Sequence, residues 1–141
     1  MRPADPALDA EYRATTYRVF VPGADAIDLH VGEASAALDA LLEGHAAQTW
    51  AFVTAWNPAS RRLSAEENQS RQAKLLWEVR ARGWRSLEGA GVPVRSDWQP
   101  EASLLVVGLS KDDAVALGRR FGQNAIVAGQ LGEPAELIYC N

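Results

Sequence analysis

The chain of 141 residues is 48% hydrophobic and 23% charged, which are the proportions of an ordinary folded domain. Its formal net charge of −4 argues against sequence-independent binding to nucleic acid or to anionic membranes, because that binding needs a basic surface. The single cysteine, Cys140, excludes an internal disulfide and a cysteine-rich zinc site.

No apolar run in the sequence approaches the roughly 18 residues of a membrane span. The N-terminal segment is acidic and lacks the apolar stretch of a signal peptide. We therefore expect a cytoplasmic protein with no membrane segment, no metal and no cofactor.

The first predicted elements are a leader and a hairpin. Residues 1–14 contain Pro3, Pro6 and scattered Asp and Ala residues, which favours a flexible leader before a single domain over residues 15–141. Residues 17–21 (YRVFV) and 27–31 (IDLHV) are rich in β-formers around the turn PGAD, a pattern typical of a β-hairpin.

A helix and a central strand follow. Apolar residues recur at helical spacing over residues 35–43, and Gly44 suits the end of that helix. Residues 50–56 (WAFVTAW) place apolar side chains on both sides of a strand, which predicts a central strand covered on both faces.

Residues 64–83 carry the strongest helix pattern. Ser64 and Glu67 have the spacing of a capping box, apolar residues form a stripe from Leu75 to Val79, and Gly83 ends the helix. Residues 84–87 predict a short strand, and the glycine-rich segment 88–102 predicts a loop.

The C-terminal part predicts a strand over residues 103–109, a helix over 112–121, and strands over 125–128 and 136–139. The predicted element order is therefore β-β-α-β-α-β-β-α-β-β. Because hairpins alternate with helical crossovers, this order favours an α+β domain with a mixed β-sheet and three helices.

Polar residues near the start of the helix over residues 64–83 are the first candidates for a site. Asn68 lies along the apolar stripe, where an unpartnered amide costs about 1–3 kcal/mol. Asn68 and Arg71 either face a pocket together with Asn57, or Asn68 holds the loop N-P-A-S (residues 57–60) in place. For Arg71, whose guanidinium suits a carboxylate or phosphate, the competing interpretation is an ion pair with Glu67.

Two further groups of polar residues stand at the ends of predicted strands. Glu101 is a candidate general base or ligand-binding carboxylate, and the alternative is a structural ion pair with an arginine. Trp98 is a candidate for stacking on a planar ligand, although tryptophans more often pack in cores. Gln123 and Asn124 follow the helix-ending Gly122 and are poor β-formers, so they suggest hydrogen bonding at the sheet end or an ordinary turn.

The sequence lacks the phosphate-binding, dinucleotide-binding, zinc-protease and nucleophile-elbow motifs. His30 and His45 have no Ser, Cys or acidic partner at motif spacing. These absences remove most of the support for hydrolase, kinase and metalloenzyme functions.

Four stretches of the sequence carry a family resemblance: YRVF, AFVTAWNPAS with L-S-x-x-E-N-x-x-R, W-x-x-E-x-S-L-L-V, and F-G-Q-N-A. Over residues 17–127 the chain resembles a bacterial family known as domain of unknown function 3293. The resemblance implies a small stand-alone bacterial protein and transfers no catalytic role. Its signature positions here are Asn57, Pro58, Ser60, Glu67, Asn68, Arg71, Glu101, Gln123 and Asn124.

These observations lead to two hypotheses of different classes. The first is a domain that binds a small polar or anionic ligand, with nucleotide-like molecules among the candidates, at the N-P-x-S loop, with Glu101 or Glu67 available for acid–base chemistry. Its candidate binding residues are Asn57, Ser60, Glu67, Asn68, Arg71, Glu101, Gln123 and Asn124. The second is a non-catalytic protein-interaction domain in which the same polar loops are structural.

Overall fold

A computed structural model describes residues 5–94 and 99–140. The helices in the described ranges are α1 (Pro6–Ala14), α2 (Ala36–Gly44), α3 (Ala65–Ala81) and α4 (Lys111–Arg120), with a short 3-10 turn at Pro58–Ser60. The strands there are β1 (Thr16–Val19), β2 (Ile27–Leu29), β3 (Thr49–Val53), β4 (Arg85–Val92), β5 (Glu101–Val107), β6 (Ala125–Gln130) and β7 (Glu136–Tyr139).

The strands form one seven-stranded sheet in the order β2-β1-β4-β5-β3-β6-β7, and each of its ladders is antiparallel. The prediction of a mixed sheet is therefore wrong. In the crossovers through α3 and α4 the two joined strands run parallel, but a third strand lies between them: β5 separates β3 from β4, and β3 separates β5 from β6. This split β-α-β arrangement turns parallel crossovers into antiparallel neighbours.

Both faces of the sheet are buried. On one face, α3 and α4 contribute Leu75, Val79 and Leu117 to a core that includes Val53 and Val106. On the other face, α2 packs Leu38 and Leu42 into a second core. The central β3 supplies alternate residues to both cores, as the predicted two-sided pattern requires: Ala51 and Val53 face α3, and Trp50 and Phe52 face the other way.

The described residues contain four helices, so the prediction of three helices is also wrong. The additional helix, α1, occupies most of the segment predicted as a leader. Asp5 caps it by accepting a hydrogen bond from the Ala7 main-chain N–H at 2.9 Å, and Pro6 stands at its first position. A proline there starts a helix, because its fixed φ suits the first turn and its missing N–H would have had no helical partner.

Strand β4 extends through residues 88–92, where the sequence predicted a loop. Gly89 is suited to this position because an added Cβ would lie 2.5 Å from the Arg18 carbonyl oxygen and 2.9 Å from the Phe52 ring. Pairing with β1 on one side and β5 on the other outweighs the low strand propensity of glycine.

None of the helices in residues 5–94 and 99–140 combines the length and apolar character needed to cross a membrane.

Candidate functional site

A cavity of about 460 Å³ lies at the sheet end where β3 ends and β5 and β6 begin. It is on the side of the sheet away from α3 and α4, because its lining residues Tyr17, Phe52 and Val127 belong to the core of the other face. Helix α1 contributes Leu8, Glu11 and Tyr12 to the wall. The cavity is thus enclosed between the sheet and the helix that the sequence did not predict.

The walls of this cavity are mostly apolar, and the polar side chains in them come from several strands and loops. The described polar side chains lining it include Thr54, Asn57, Ser60, Glu101, Ser103 and Gln123. Four of the eight candidate binding residues are among them: Asn57, Ser60, Glu101 and Gln123. Residues that lie far apart in sequence therefore meet around one space, which is the arrangement expected of a ligand site.

Glu101 and Asn57 form the central polar contact of the cavity. Asn57 follows β3, Glu101 is the first residue of β5, and the Asn57 side-chain amide donates to the Glu101 carboxylate over 2.8 Å. Burial raises the pKa of Glu101, and the hydrogen bond from Asn57 offsets part of that rise. The alternative predicted for Glu101, an ion pair with an arginine, is not found among the described residues.

Asn57 has a left-handed backbone, with φ 44° and ψ 62°, a conformation that asparagine tolerates better than most residues. Asn68, only 2% exposed, holds it there: the Asn57 main-chain N–H donates to the Asn68 side chain at 2.9 Å, and the Asn68 amide donates back to the Asn57 side chain at 2.9 Å. The Asn57 side-chain oxygen also accepts from the Leu63 N–H at 3.0 Å. Asn68 thus orients the amide that contacts Glu101.

Arg71 and Gln72 bind the main chain at the end of β3. The Arg71 guanidinium donates to the carbonyl oxygen of Ala55 at 2.8 Å and to that of Phe121, and Gln72 accepts from the Ala55 N–H at 3.0 Å. Arg71 is therefore engaged in carbonyl contacts instead of the predicted ion pair with Glu67. The Glu67 carboxylate accepts from the Ser64 N–H at 3.1 Å, which completes the predicted capping box.

The loop over residues 57–60 is joined to the loop over residues 121–124. The Ala59 N–H donates to the Gly122 carbonyl at 2.7 Å, and Gly122, at φ 70°, leaves room for Pro58, whose Cβ would be 2.9 Å from an added Cβ. Gln123 donates to the Trp56 carbonyl at 3.0 Å, and Asn124 donates to the Ser60 hydroxyl at 3.0 Å. These contacts join the N-P-A-S and F-G-Q-N motifs, which lie about 60 residues apart in the sequence.

Helix α1 reaches the same polar cluster through Tyr12, whose hydroxyl interacts with Ser60 and Asn124. Burial raises the pKa of Tyr12 to about 12, so this hydroxyl stays protonated at neutral pH. Two more contacts hold the helix: Tyr139 hydrogen-bonds to Asp9, and the Tyr17 hydroxyl donates to the Tyr12 carbonyl at 2.7 Å.

The sequence did not single out the aromatic and α1 residues of the cavity, chiefly Tyr12, Tyr17 and Phe52. The signal that was available is the Asp5-Pro6 pair, an N-cap followed by a first-turn proline. Recognising a helix there places Tyr12 on an element that packs against the sheet. Trp98, the candidate for stacking, lies outside the described residues.

The fold and the site define a class: an α+β domain with two split β-α-β units and a cavity on the sheet face away from their helices. The chain belongs to the family described as protein of unknown function DUF3293, whose model matches residues 53–126, just over half of the chain. The match begins in β3 and ends in β6, so it contains the polar loops but not α1. No curated protein and no solved structure gives a significant match.

Proposed function

We propose that this protein binds a small molecule in the cavity beside α1. The observation that carries the proposal is the convergence of Asn57, Ser60, Glu101 and Gln123 on a largely apolar space of about 460 Å³. A concave apolar site with a few convergent polar groups is the usual form of a small-ligand pocket, and this volume is in the usual range of about 300–1,000 Å³. The proposed ligand has an apolar body and one polar group directed at Glu101.

The charge of the site argues against an anionic ligand. The charged side chains that line the cavity within residues 5–94 and 99–140 are Glu11 and Glu101, both carboxylates. Arg71, the cation that suggested a phosphate or carboxylate, is engaged with the carbonyls of Ala55 and Phe121. The proposal therefore keeps a polar ligand and omits the anionic and nucleotide-like classes.

The proposal concerns binding, and its candidate for acid–base chemistry is Glu101. Glu101 lines the cavity, and burial raises its pKa above the ordinary value, as is common for carboxyl groups that take part in acid–base chemistry. Glu67 is exposed and engaged in the capping box of α3, so it has no part in the proposed site. The cytoplasmic location expected from the sequence belongs to the same proposal.

The competing function, protein–protein interaction, has weaker support. The large apolar side chains exposed within the described ranges are Phe20, Trp77 and Val94. Phe20 follows β1, and its N–H donates to the Glu88 carbonyl in the middle of β4. Val94 lies beyond the C-terminal end of β4, and Trp77 is on α3. Separate apolar residues of this kind are normal on a protein surface, whereas an interaction site needs a contiguous patch.

Benzyl alcohol tests the binding proposal, because its ring suits the apolar walls and its hydroxyl suits the polar end. We expect millimolar binding, detected by saturation-transfer NMR. Gly91→Val should abolish this binding, because Gly91 lines the cavity and the valine side chain would occupy part of it. The side chain has room there, since an added Cβ would meet only Thr15, at 3.9 Å. The substitution suits a strand, so the variant should fold.

Ala90→Val is the matched control, because Ala90 is the preceding residue of β4 and faces the opposite side of the sheet. Its binding of benzyl alcohol should equal that of the wild type. Equal binding by folded Gly91→Val and by wild type would contradict the cavity as the binding site.

A further inference from the structure

We infer that the ligand of this cavity is an organic cation: an ammonium group on a compact apolar, preferably aromatic, body, held by Glu101 through a charge-assisted hydrogen bond. The inference rests on the proposed function and specifies the chemical class of its ligand.

The first support is the unbalanced charge of Glu101. Its described hydrogen-bond partner is the neutral amide of Asn57, which contacts only Oε2, at 2.8 Å. A carboxylate that is partly removed from water is disfavoured unless a charge or several donors compensate it. No donor to the second carboxylate oxygen, Oε1, is found in residues 5–94 and 99–140, and a bound ammonium group would supply one.

The second support is the surroundings of that carboxylate. The cavity is lined by the rings of Tyr12, Tyr17 and Phe52, and Tyr17 and Phe52 pack edge to face with ring centroids 5.3 Å apart. Aromatic rings attract cations through their negative faces, and sites for organic ammonium groups commonly combine such rings with a carboxylate.

A metal cation fits the site less well than an organic one. No group of three or more His, Cys, Asp or Glu residues within the described ranges has the geometry to hold a metal ion. Calcium and magnesium need six or more oxygen ligands, several of them carboxylates, carbonyls or waters. An ammonium group needs fewer acceptors, and its carbon body matches the apolar walls.

Three probes of nearly the same shape test the inference: benzylamine (cationic), benzyl alcohol (neutral) and benzoate (anionic). Titrations at about pH 7.5, followed by NMR chemical shifts, give the three dissociation constants. We expect benzylamine to bind about 10- to 100-fold more tightly than benzyl alcohol, the range for a hydrogen bond to a charged group. Benzoate should bind more weakly than both, because Glu101 repels it.

Glu101→Gln assigns the effect to one carboxylate. It preserves the shape of the side chain and an acceptor for Asn57, and it should reduce the preference for benzylamine over benzyl alcohol to less than about threefold. Glu88→Gln is the matched control, because Glu88 is exposed on β4 outside the cavity and the substitution changes the net charge equally. It should leave the preference unchanged.

The possible results separate this inference from the proposed function. If benzyl alcohol and benzylamine bind equally well, and Gly91→Val abolishes both, the cavity binds ligands but the cation inference is wrong. If Glu101→Gln retains the full preference for benzylamine, Glu101 is not the recognising group and the inference is again wrong. If none of the three probes binds, both the inference and the proposed function are contradicted.

Discussion

Two groups of polar residues lie on opposite sides of the short segment that follows β3, and they differ in their hydrogen-bond partners. On the helix side, Asn68, Arg71 and Gln72 bind main-chain groups of Ala55 and Asn57. On the cavity side, the Glu101 carboxylate has one neutral partner among the described residues and lines the cavity. The first group therefore completes the fold, and the second group carries the proposed ligand site.

This difference shows that a polar residue near a site does not by itself indicate binding. The strand segment leaves its sheet at Val53, so the following N–H and C=O groups lose ladder partners and must be bonded by side chains. Helix α3 supplies those side chains from its first two turns. The same contacts fix the direction of the Asn57 amide, so the structural group positions one residue of the proposed ligand site.

Replacing Asn68 should break the helix-side group most severely. Asn68→Ala removes the acceptor for the Asn57 N–H and leaves that partly buried main-chain group without its partner, so we expect a loss of about 2–3 kcal/mol in the free energy of unfolding. Urea denaturation of the ligand-free protein measures it. Lys74→Ala, an exposed change on the same helix, should change stability by less than about 0.5 kcal/mol. An Asn68→Ala variant as stable as Lys74→Ala would show that Asn68 is not needed for the loop.

Replacing Arg71 by lysine should have an intermediate effect. A lysine keeps the positive charge but cannot present a planar fork to the carbonyls of Ala55 and Phe121 together. We expect a loss of about 1–2 kcal/mol, measured by the same urea titration. Arg80→Lys, an exposed substitution in the last turn of α3, is the control and should be close to neutral. If the two variants are equally stable, the planar fork of Arg71 is not needed for the stability of the fold.

Much of the fold could be predicted from the sequence, because most elements carry local signals that agree with their tertiary setting. The capping box at Ser64, the two-sided apolar pattern of β3 and the left-handed Gly122 all match the structure. Apart from α1, the predicted element order is the observed one. Such local signals predict secondary structure correctly when they agree with the contacts that the whole fold requires.

The parts that could not be predicted depend on contacts distant in sequence. The antiparallel sheet arises because β5 inserts between β3 and β4, a pairing with no local signature. The glycines of β4 form a strand because two neighbours pair with it. For the same reason the sequence predicted candidate residues on both sides of the loop over residues 57–60 without distinguishing the two groups. Both groups are polar, and only the fold determines which group already has hydrogen-bond partners.

The smallest expected effect on stability comes from Glu101→Gln, on the cavity side. Because burial raises the pKa of Glu101 above the ordinary 4.5, the folded protein holds the Glu101 proton more tightly than the unfolded chain does. The stability linked to this group is therefore fully present below about pH 4.5 and is lost as the pH rises through the raised pKa. Glu101→Gln removes the ionisation but keeps an acceptor for Asn57, so at neutral pH the variant should be more stable than the wild type.

Urea midpoints at about pH 4 and about pH 7 measure this effect, with Glu88→Gln as the control for net charge. The wild type and Glu88→Gln should lose more stability than Glu101→Gln between the two pH values. Glu101→Gln is expected to be more stable than the wild type and to bind benzylamine less tightly. Both results together would show that the Glu101 carboxylate disfavours folding and favours binding. A Glu101→Gln variant that is less stable at neutral pH would instead place Glu101 with Asn68 and Arg71, among the residues that complete the fold.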